Sequence, residues 1–314
     1  MYLVTFHGTV LCKTIMNRLQ HQSLDRKKIT SSLLSIDFDA EAARRLRDYD
    51  GEVEIGGGPL GGYRAIPHFR LGHVLRKDGR YLCAVDKDGA LITTEVPGVW
   101  EVFHFAESLG EPRAHGSPEE ENRRFAARVA QLQAEGKAVK LYCGAGRLPR
   151  RGFLNLDVTP MLPAFSTTDY DDYFIFDFCD RRWQIPNDSV DYVYHEDFIE
   201  HIDQTNQFQF LAESRRVMKP GSWQRVNTPN LIWAMRHHSD FNRGLEGVYT
   251  GERQWGHIAI LTRDLLAAMA RTVGFREVHF TGRDGGRSPH AVPDIRPGAD
   301  RPDIEGNIFA DLLK

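Results

Sequence analysis

Cysteine is scarce in this chain, and so is any excess of one charge. Its 314 residues hold four cysteines, Cys12, Cys83, Cys143 and Cys179, with no C-x-x-C pair among them. Neither a zinc finger nor a disulfide framework is indicated, and reduced thiols in a cytoplasmic protein are the simplest reading. Forty basic and 43 acidic side chains leave a net charge of −3. That balance gives no electrostatic case for nucleic acid or an anionic membrane. No apolar run approaches the roughly 18 residues of a membrane span. Met1–Cys12 has neither a basic start nor a small-residue cleavage site, so a signal peptide is not expected. What remains is 41% hydrophobic and 26% charged, an ordinary globular mixture long enough for about two domains.

Residues 1–108 read as an N-terminal β domain. Tyr2–Phe6, Val53–Ile55 and Tyr81–Val85 are short strand candidates bounded by Gly, Asp and Pro. Lys87-Asp88-Gly89 reads as a hairpin turn. Gly8-x-x-Leu11-Cys12 recurs as Gly79-x-x-Leu82-Cys83. The gap between the copies leaves room for a third, which suggests a threefold β repeat. Residues 109–116, polar with Gly110 and Pro112, form a linker.

Residues 117–314 alternate strands and helices, the pattern of a parallel α/β sheet. Ser117, Pro118 and Glu120 make a capping box for a helix with Phe125, Val129 and Leu132 on one face. Two apolar runs follow within Lys137–Asp157. The first ends in Gly144-Ala145-Gly146 and the second in Asp157. Such glycines let backbone approach a ligand closely, and an acid at the next strand tip can bind both hydroxyls of a ribose. A third strand ends at Asp177-Phe178, and a fourth, Val190–Tyr194, leads into His195-Glu196-Asp197. A helix carrying Phe208 and Leu211 is expected to end at Lys219-Pro220-Gly221, before a fifth strand at Arg225–Asn227. Asn230–Gly256 is too long for an ordinary connection and reads as a lid or substrate loop. Thr262 caps a helix over Arg263–Thr272, and Val278–Phe280 and Ile308–Leu313 supply the last strands.

A nicotinamide-binding unit would want a third glycine and an acid about 20 residues on. This chain lacks that glycine, and Asp157 comes sooner. Instead, six pieces fall in the order of another family: Tyr142–Gly146, Gly152–Asp157, Ile185–Asp191, Tyr194–Ile202, Val217–Gly221 and Thr228–Leu231. Together they resemble the class I S-adenosyl-L-methionine dependent methyltransferases, in the bacterial group with a short G-x-G loop and a G-F-x-N-x-D motif. The N-terminal segment Asp78–Phe105 resembles one unit of a fascin-like β-trefoil. The resemblance implies a Rossmann-like α/β methyltransferase domain with a smaller all-β domain before it. It implies an enzyme that binds S-adenosyl-L-methionine with Cys143, Gly144, Ala145 and Gly146 under the carboxypropyl and ribose part. Asp157 would hold the ribose hydroxyls, Asp177 the adenine amino group, and the Phe178 backbone N–H a ring nitrogen.

For the catalytic base, His195 and Glu196 directly follow the fourth strand and lead. His201 is a third candidate, against its reading as a structural histidine beside Glu200, and His257 and His290 are others. His237-His238, as adjacent residues, point to opposite sides and read as surface. Trp183, Trp233 and Trp255 could stack on a sugar or simply pack. Asp171, Asp172 and Asp180 show no spacing that singles out a divalent ion, so no metal is expected. The acceptor is expected to be a small molecule, a saccharide or a glycan intermediate, methylated on oxygen or nitrogen, and a homo-oligomer stays open. The alternative is a non-catalytic ligand-binding protein on a vestigial methyltransferase scaffold.

Overall fold

A computed structural model describes residues 2–5, 9–13, 19–23, 32–33, 51–54, 62–68, 72–85, 91–95, 102–106, 116–146, 149–158, 172–180, 182–237, 256–294 and 306–314. Residues 109–115 of the linker, the Lys87-Asp88-Gly89 turn, Asp171, His238 and Trp255 lie outside them. The chain divides into two compact units. The first is built chiefly on Met1–Arg113 and the second on Ala114–Pro160, Tyr170–Asp294 and Arg301–Lys314.

The first unit contains β1 (Tyr2–Thr5), β2 (Thr9–Lys13), β3 (Leu19–Ser23), β4 (Ser32–Leu33) and β5 (Gly51–Glu54). It continues with β6 (Gly62–His68), β7 (Gly72–Lys77), β8 (Arg80–Ala84), β9 (Leu91–Thr94) and β10 (Val102–Ala106). Its main sheet runs β3-β2-β1-β10-β7-β6-β5, with β4 on β2 and β8 and β9 beside β7. Among the described residues every pairing in this unit is antiparallel, and β1 lies against β10. Asp78 and Gly79 turn β7 into β8 with φ of 49° and 78°, the paired left-handed residues that a tight hairpin demands. Leu3, Leu11, Tyr63, Ala65, Leu75, Leu82 and Phe103 form its core.

The second unit begins with α1 (Pro118–Ala134), where the expected capping box is present: Ser117 accepts from the Glu120 amide and Glu120 from the Ser117 amide. Then come β11 (Lys140–Cys143), β12 (Leu154–Asp157), β13 (Tyr173–Ile175) and β14 (Val190–Glu196). They are followed by α2 (Gln204–Val217), β15 (Met218–Pro229), α3 (Leu231–His237), α4 (Arg263–Thr272), β16 (Glu277–Phe280) and β17 (Asn307–Leu313). The sheet order is β13-β12-β11-β14-β15-β17-β16. The first five pair in parallel, and β17 runs antiparallel to both of its neighbours. In chain order the parallel part reads third, second, first, fourth, fifth. That is the doubly wound arrangement, with its reversal between β11 and β14.

β15 is longer than expected. The helix stops at Val217 and the strand starts at once, because Lys219–Ser222 bulge out of the ladder between the pairs Val190↔Met218 and Tyr192↔Trp223. Gly221 takes φ 81° there, and its amide reaches Lys314 O at 3.2 Å. The bulge accommodates Lys-Pro-Gly without ending the strand.

The two faces of this sheet differ in kind. Alternation sends Leu141, Cys143, Leu154, Leu156, Val193, Val226, Ala310 and Leu312 to the helix side, into one core with Phe125 of α1, Phe210 of α2 and Leu266 of α4. The other face carries Tyr142, Asn155, Tyr194, Glu196, Arg225, Asn227 and Asp311, all buried. Arg225 is the centre of its polar part. Its guanidinium donates to Asp294 at 2.9 and 3.3 Å, to Thr281 Oγ1 at 2.6 Å and to Gly282 O at 3.1 Å, with Asp311 at 3.5 Å. Asp294 also accepts from the Asp284 amide, while Asp284 accepts from that of Asp294. The segment 281–294 is thereby clipped onto the sheet.

Both side chains of the Arg225–Asp294 pair are 1% exposed. Removing one partner of such a pair strands a charge in the interior. Asp294→Ala is expected to lower the unfolding free energy by about 3–5 kcal/mol in urea titrations followed by tryptophan fluorescence. Glu95→Ala, which removes the exposed partner of Arg80, is expected to cost less than about 1 kcal/mol.

Candidate functional site

Open α/β sheets bind ligands outside the carboxyl ends of their strands, at the reversal of strand order. Here that point falls at the turn after β11. Gly144 and Gly146 take φ of 70° and 50°, which L side chains rarely adopt. A Cβ on Gly144 would sit 2.7 Å from the Cβ and ring of Phe198. The close approach of these two turns therefore requires glycine. The Gly144 and Ala145 amides donate to Leu156 O at 2.9 and 3.1 Å, and the Gly146 amide donates to Asp157 Oδ2 at 2.7 Å. Tyr173 Oη donates to Gly146 O at 3.1 Å. Asn155 secures the other end, accepting from the Arg150 amide at 2.6 Å and donating to Arg150 O and Phe153 O at 3.0 Å each.

At the tip of β14 the alternation separates two expected catalytic residues. Glu196 faces the polar side. It accepts from Tyr194 Oη and, at 2.6 Å, from Asn227 Nδ2, whose own Oδ1 accepts from Asn307 Nδ2 at 2.6 Å. Arg150 lies over the Tyr194 ring at 4.6 Å. Burial pushes the Tyr142 phenol well up, Arg150 opposes this, and the nearby Glu196, Asp157 and Asp197 carboxylates add to it. The acids thus converge around Tyr142. His195 faces the helix-side core instead, with its ring centroid 5.1 Å from Phe210 and 5.8 Å from Phe198. It is fully buried, and burial pulls its pKa down to about 3. Gln224 accepts from Ser214 Oγ at 2.6 Å through Oε1 and donates from Nε2 to His195 Nε2 at 3.1 Å. That bond suits a neutral ring.

Cys143 is buried beneath the turn, and burial raises its thiol. Asp177 is exposed beyond β13 and accepts from the Cys179 amide at 2.8 Å. The Phe178 ring is buried against Phe198 at 4.5 Å. His290 is half-buried at the end of the clipped segment. Trp183 is 1% exposed in the core, whereas Trp233 stacks on His237 at 4.1 Å. Asn230, Trp233, Arg236, Arg263 and Asp264 line a cleft of about 390 Å³ beside the end of β15.

His201 joins a second group. With Glu200 it forms a 3-10 turn over Ile199–His201. Its ring lies 5.0 Å from that of His257, and His257 Nε2 is 3.8 Å from Glu200 Oε1. Glu200 is wholly buried. Burial raises its pKa first, Asp197 next, while His257 works the other way. The adjacency Glu200-His201 is visible in the sequence, but the arrival of His257 depends on the fold.

No protein-family model matches the chain, and no curated protein matches it. Among solved structures it is similar to a SAM dependent methyltransferase from Archaeoglobus fulgidus, at 16% identity and a TM-score of 0.39 over 63% of this chain and 95% of that one. It is also similar to an S-adenosylmethionine dependent methyltransferase from Mesorhizobium loti, at 13% identity and a TM-score of 0.40 over 60% and 98%. At these scores the likeness carries no weight for function.

The buried His195 has a measurable signature. Its folded pKa, about 3, lies below the ordinary 6.5. Between those values the unfolded chain takes up a proton that the folded chain refuses. Stability from this group is therefore full above pH 6.5 and falls as pH drops, by at most about 1.4 kcal/mol per pH unit. Between pH 7 and pH 5 the wild type is expected to lose about 2 kcal/mol more than His195→Gln, read from urea midpoints. Equal losses would mean that the ring titrates normally.

Proposed function

We propose that the second unit is an enzyme that transfers a methyl group from S-adenosyl-L-methionine to an oxygen or nitrogen acceptor. The observation that carries this reading is the turn Gly144-Ala145-Gly146 at the reversal of strand order, with Asp157 holding the Gly146 amide and Glu196 on the adjoining strand tip. The antiparallel β17 between β15 and β16 departs from the dinucleotide-binding order, which weighs against a nicotinamide site. The six sequence motifs supply the family reading; the geometry is compatible with it.

The residues present fit the cofactor by their chemistry. Left-handed glycines keep side chains out of the turn, and acids stand at two neighbouring strand ends. Backbone from Cys143 to Gly146 would run beneath the carboxypropyl and ribose part. Asp157 would accept from the ribose hydroxyls, Asp177 from the adenine amino group, and the Phe178 amide would donate to the ring. Bound there, S-adenosyl-L-methionine supplies a methyl carbon activated by its positive sulfur. The chain's task is to align an acceptor and remove its proton. Glu196 is the residue we assign to that proton. Tyr194 and Asn227 fix its carboxylate, whereas His195 lies behind the sheet and the exposed His201 is grouped with His257 and Glu200. For the acceptor we favour a saccharide or glycan intermediate. The cleft with Trp233, Arg236 and Arg263 offers an aromatic face and hydrogen-bond donors, and a trefoil-like first unit would suit glycan binding. Cys83, Cys143 and Cys179 are free, in keeping with a reducing, cytoplasmic setting, and among the described residues no helix is long and apolar enough to cross a membrane.

Calorimetric titration of S-adenosyl-L-methionine and S-adenosylhomocysteine into the protein is expected to show micromolar binding that Asp157→Ala weakens at least tenfold while circular dichroism stays unchanged. A folded protein that binds neither would overturn the methyltransferase reading and favour a ligand-binding scaffold. With a pool of nucleotide sugars as acceptors, Glu196→Gln is expected to slow S-adenosylhomocysteine production about 10²-fold or more, with cofactor affinity retained.

A further inference from the structure

The Glu200–His201–His257 group has features that neither the sheet nor the cofactor pocket requires. Glu200 Oε2 accepts from Thr228 Oγ1 at 2.8 Å. Its other oxygen, Oε1, is buried without a hydrogen-bond partner. A carboxylate oxygen left so in the interior is costly, and it lies 3.8 Å from His257 Nε2. One donor atom from each of the three residues lies within 4.8 Å of the others. His201 is already oriented. Its Nδ1 is 3.1 Å from Gly256 O, and a carbonyl only accepts, so Nδ1 carries the proton and Nε2 the lone pair. This is the backbone arrangement by which proteins fix metal-binding histidines.

The two chain segments are also tied together before any ligand arrives. The Ile258 and Ala259 amides donate to Glu200 O at 2.9 and 3.2 Å. Gln207 Nε2 bridges Ile199 O and Ala259 O at 2.8 and 2.7 Å. The donors are thus held by the fold, not by chance meeting of surface side chains.

We propose that Glu200, His201 and His257 bind a divalent first-row transition metal ion. Two imidazoles and one carboxylate suit zinc and its neighbours better than magnesium or calcium, which prefer oxygen alone. Three protein donors leave coordination positions for water or a substrate oxygen, and the exposure of His201 opens those positions to solvent. Metal–ligand bonds of about 2.0–2.2 Å draw the donors closer than they now stand, a movement the exposed His201 ring can supply. The ion would act as a Lewis acid on a bound oxygen. The site does not depend on the methyl-transfer reading, since none of its residues belongs to the cofactor pocket.

The test uses untagged full-length protein stripped with a chelator. Zinc titration by calorimetry is expected to give one equivalent bound. Cobalt is expected to give a visible d–d spectrum without a thiolate charge-transfer band, since no cysteine belongs to the site. Exposed His201→Ala, which the fold should tolerate, and Glu200→Gln are each expected to weaken zinc by at least tenfold. Absence of stoichiometric binding would overturn the proposal. So would unchanged affinity in His201→Ala, or a cobalt spectrum dominated by thiolate, which would move the ion to a cysteine such as Cys179.

Discussion

The link from Gly144 to Phe153 joins two adjacent parallel strands in fewer residues than the dozen or more that such a crossover usually takes, generally with a helix. Most of what distinguishes the second unit follows from that shortage. Three glycines in the left-handed region, Gly144, Gly146 and Gly152, tighten the path. Backbone polar groups that a helix would have paired are met by side chains instead, Asn155 at one end and Asp157 at the other. The described part of the link therefore lays no helix over the adjoining sheet face. That face is sealed by Arg150 stacked on tyrosines and by the segment that Arg225 and Asp294 clip down.

A face closed in this way can hold polar groups that a helix-covered face would exclude. Each is held by a specific partner, because desolvation would otherwise outweigh what it contributes. Arg225 is matched by Asp294, with Asp311 close by. Glu196 is matched by Tyr194 and Asn227, and Asn227 by Asn307. The helix side shows the opposite solution. His195 there is kept neutral by burial and steadied by the Gln224–Ser214 pair. The polarity in the middle of β15 thus has two structural causes, Arg225 on one face and Gln224 on the other.

Local chemistry was readable from the sequence, and tertiary choices were not. Ser117, Glu120 and Thr262 mark helix starts because capping is settled within four residues. The glycine turn and the acid after it are legible for the same reason. The length of β15 was not, because Pro220-Gly221 signals a break that only the neighbouring ladder converts into a bulge. β14 reads V-D-Y-V-Y-H-E, apolar enough for a strand buried on both faces. Nothing in that string says which of His195 and Glu196 faces the helices. The partner of Glu200, His257, stands at the far end of a long connection, so spacing could not join them.

The residue that divides these roles is Asp197. It takes φ 46°, a region that Asp tolerates better than most residues, and its amide donates to Asn227 O at 2.9 Å. The chain leaves β14 by turning at this point, not by continuing the strand. Had the strand run on, Glu196 and Glu200 would share a face and two carboxylates would compete for one set of partners. The left-handed step instead leaves Glu196 with Tyr194 and Asn227 and carries Glu200 to Thr228 and the histidines. One strained residue thus separates two acid sites that lie only four positions apart.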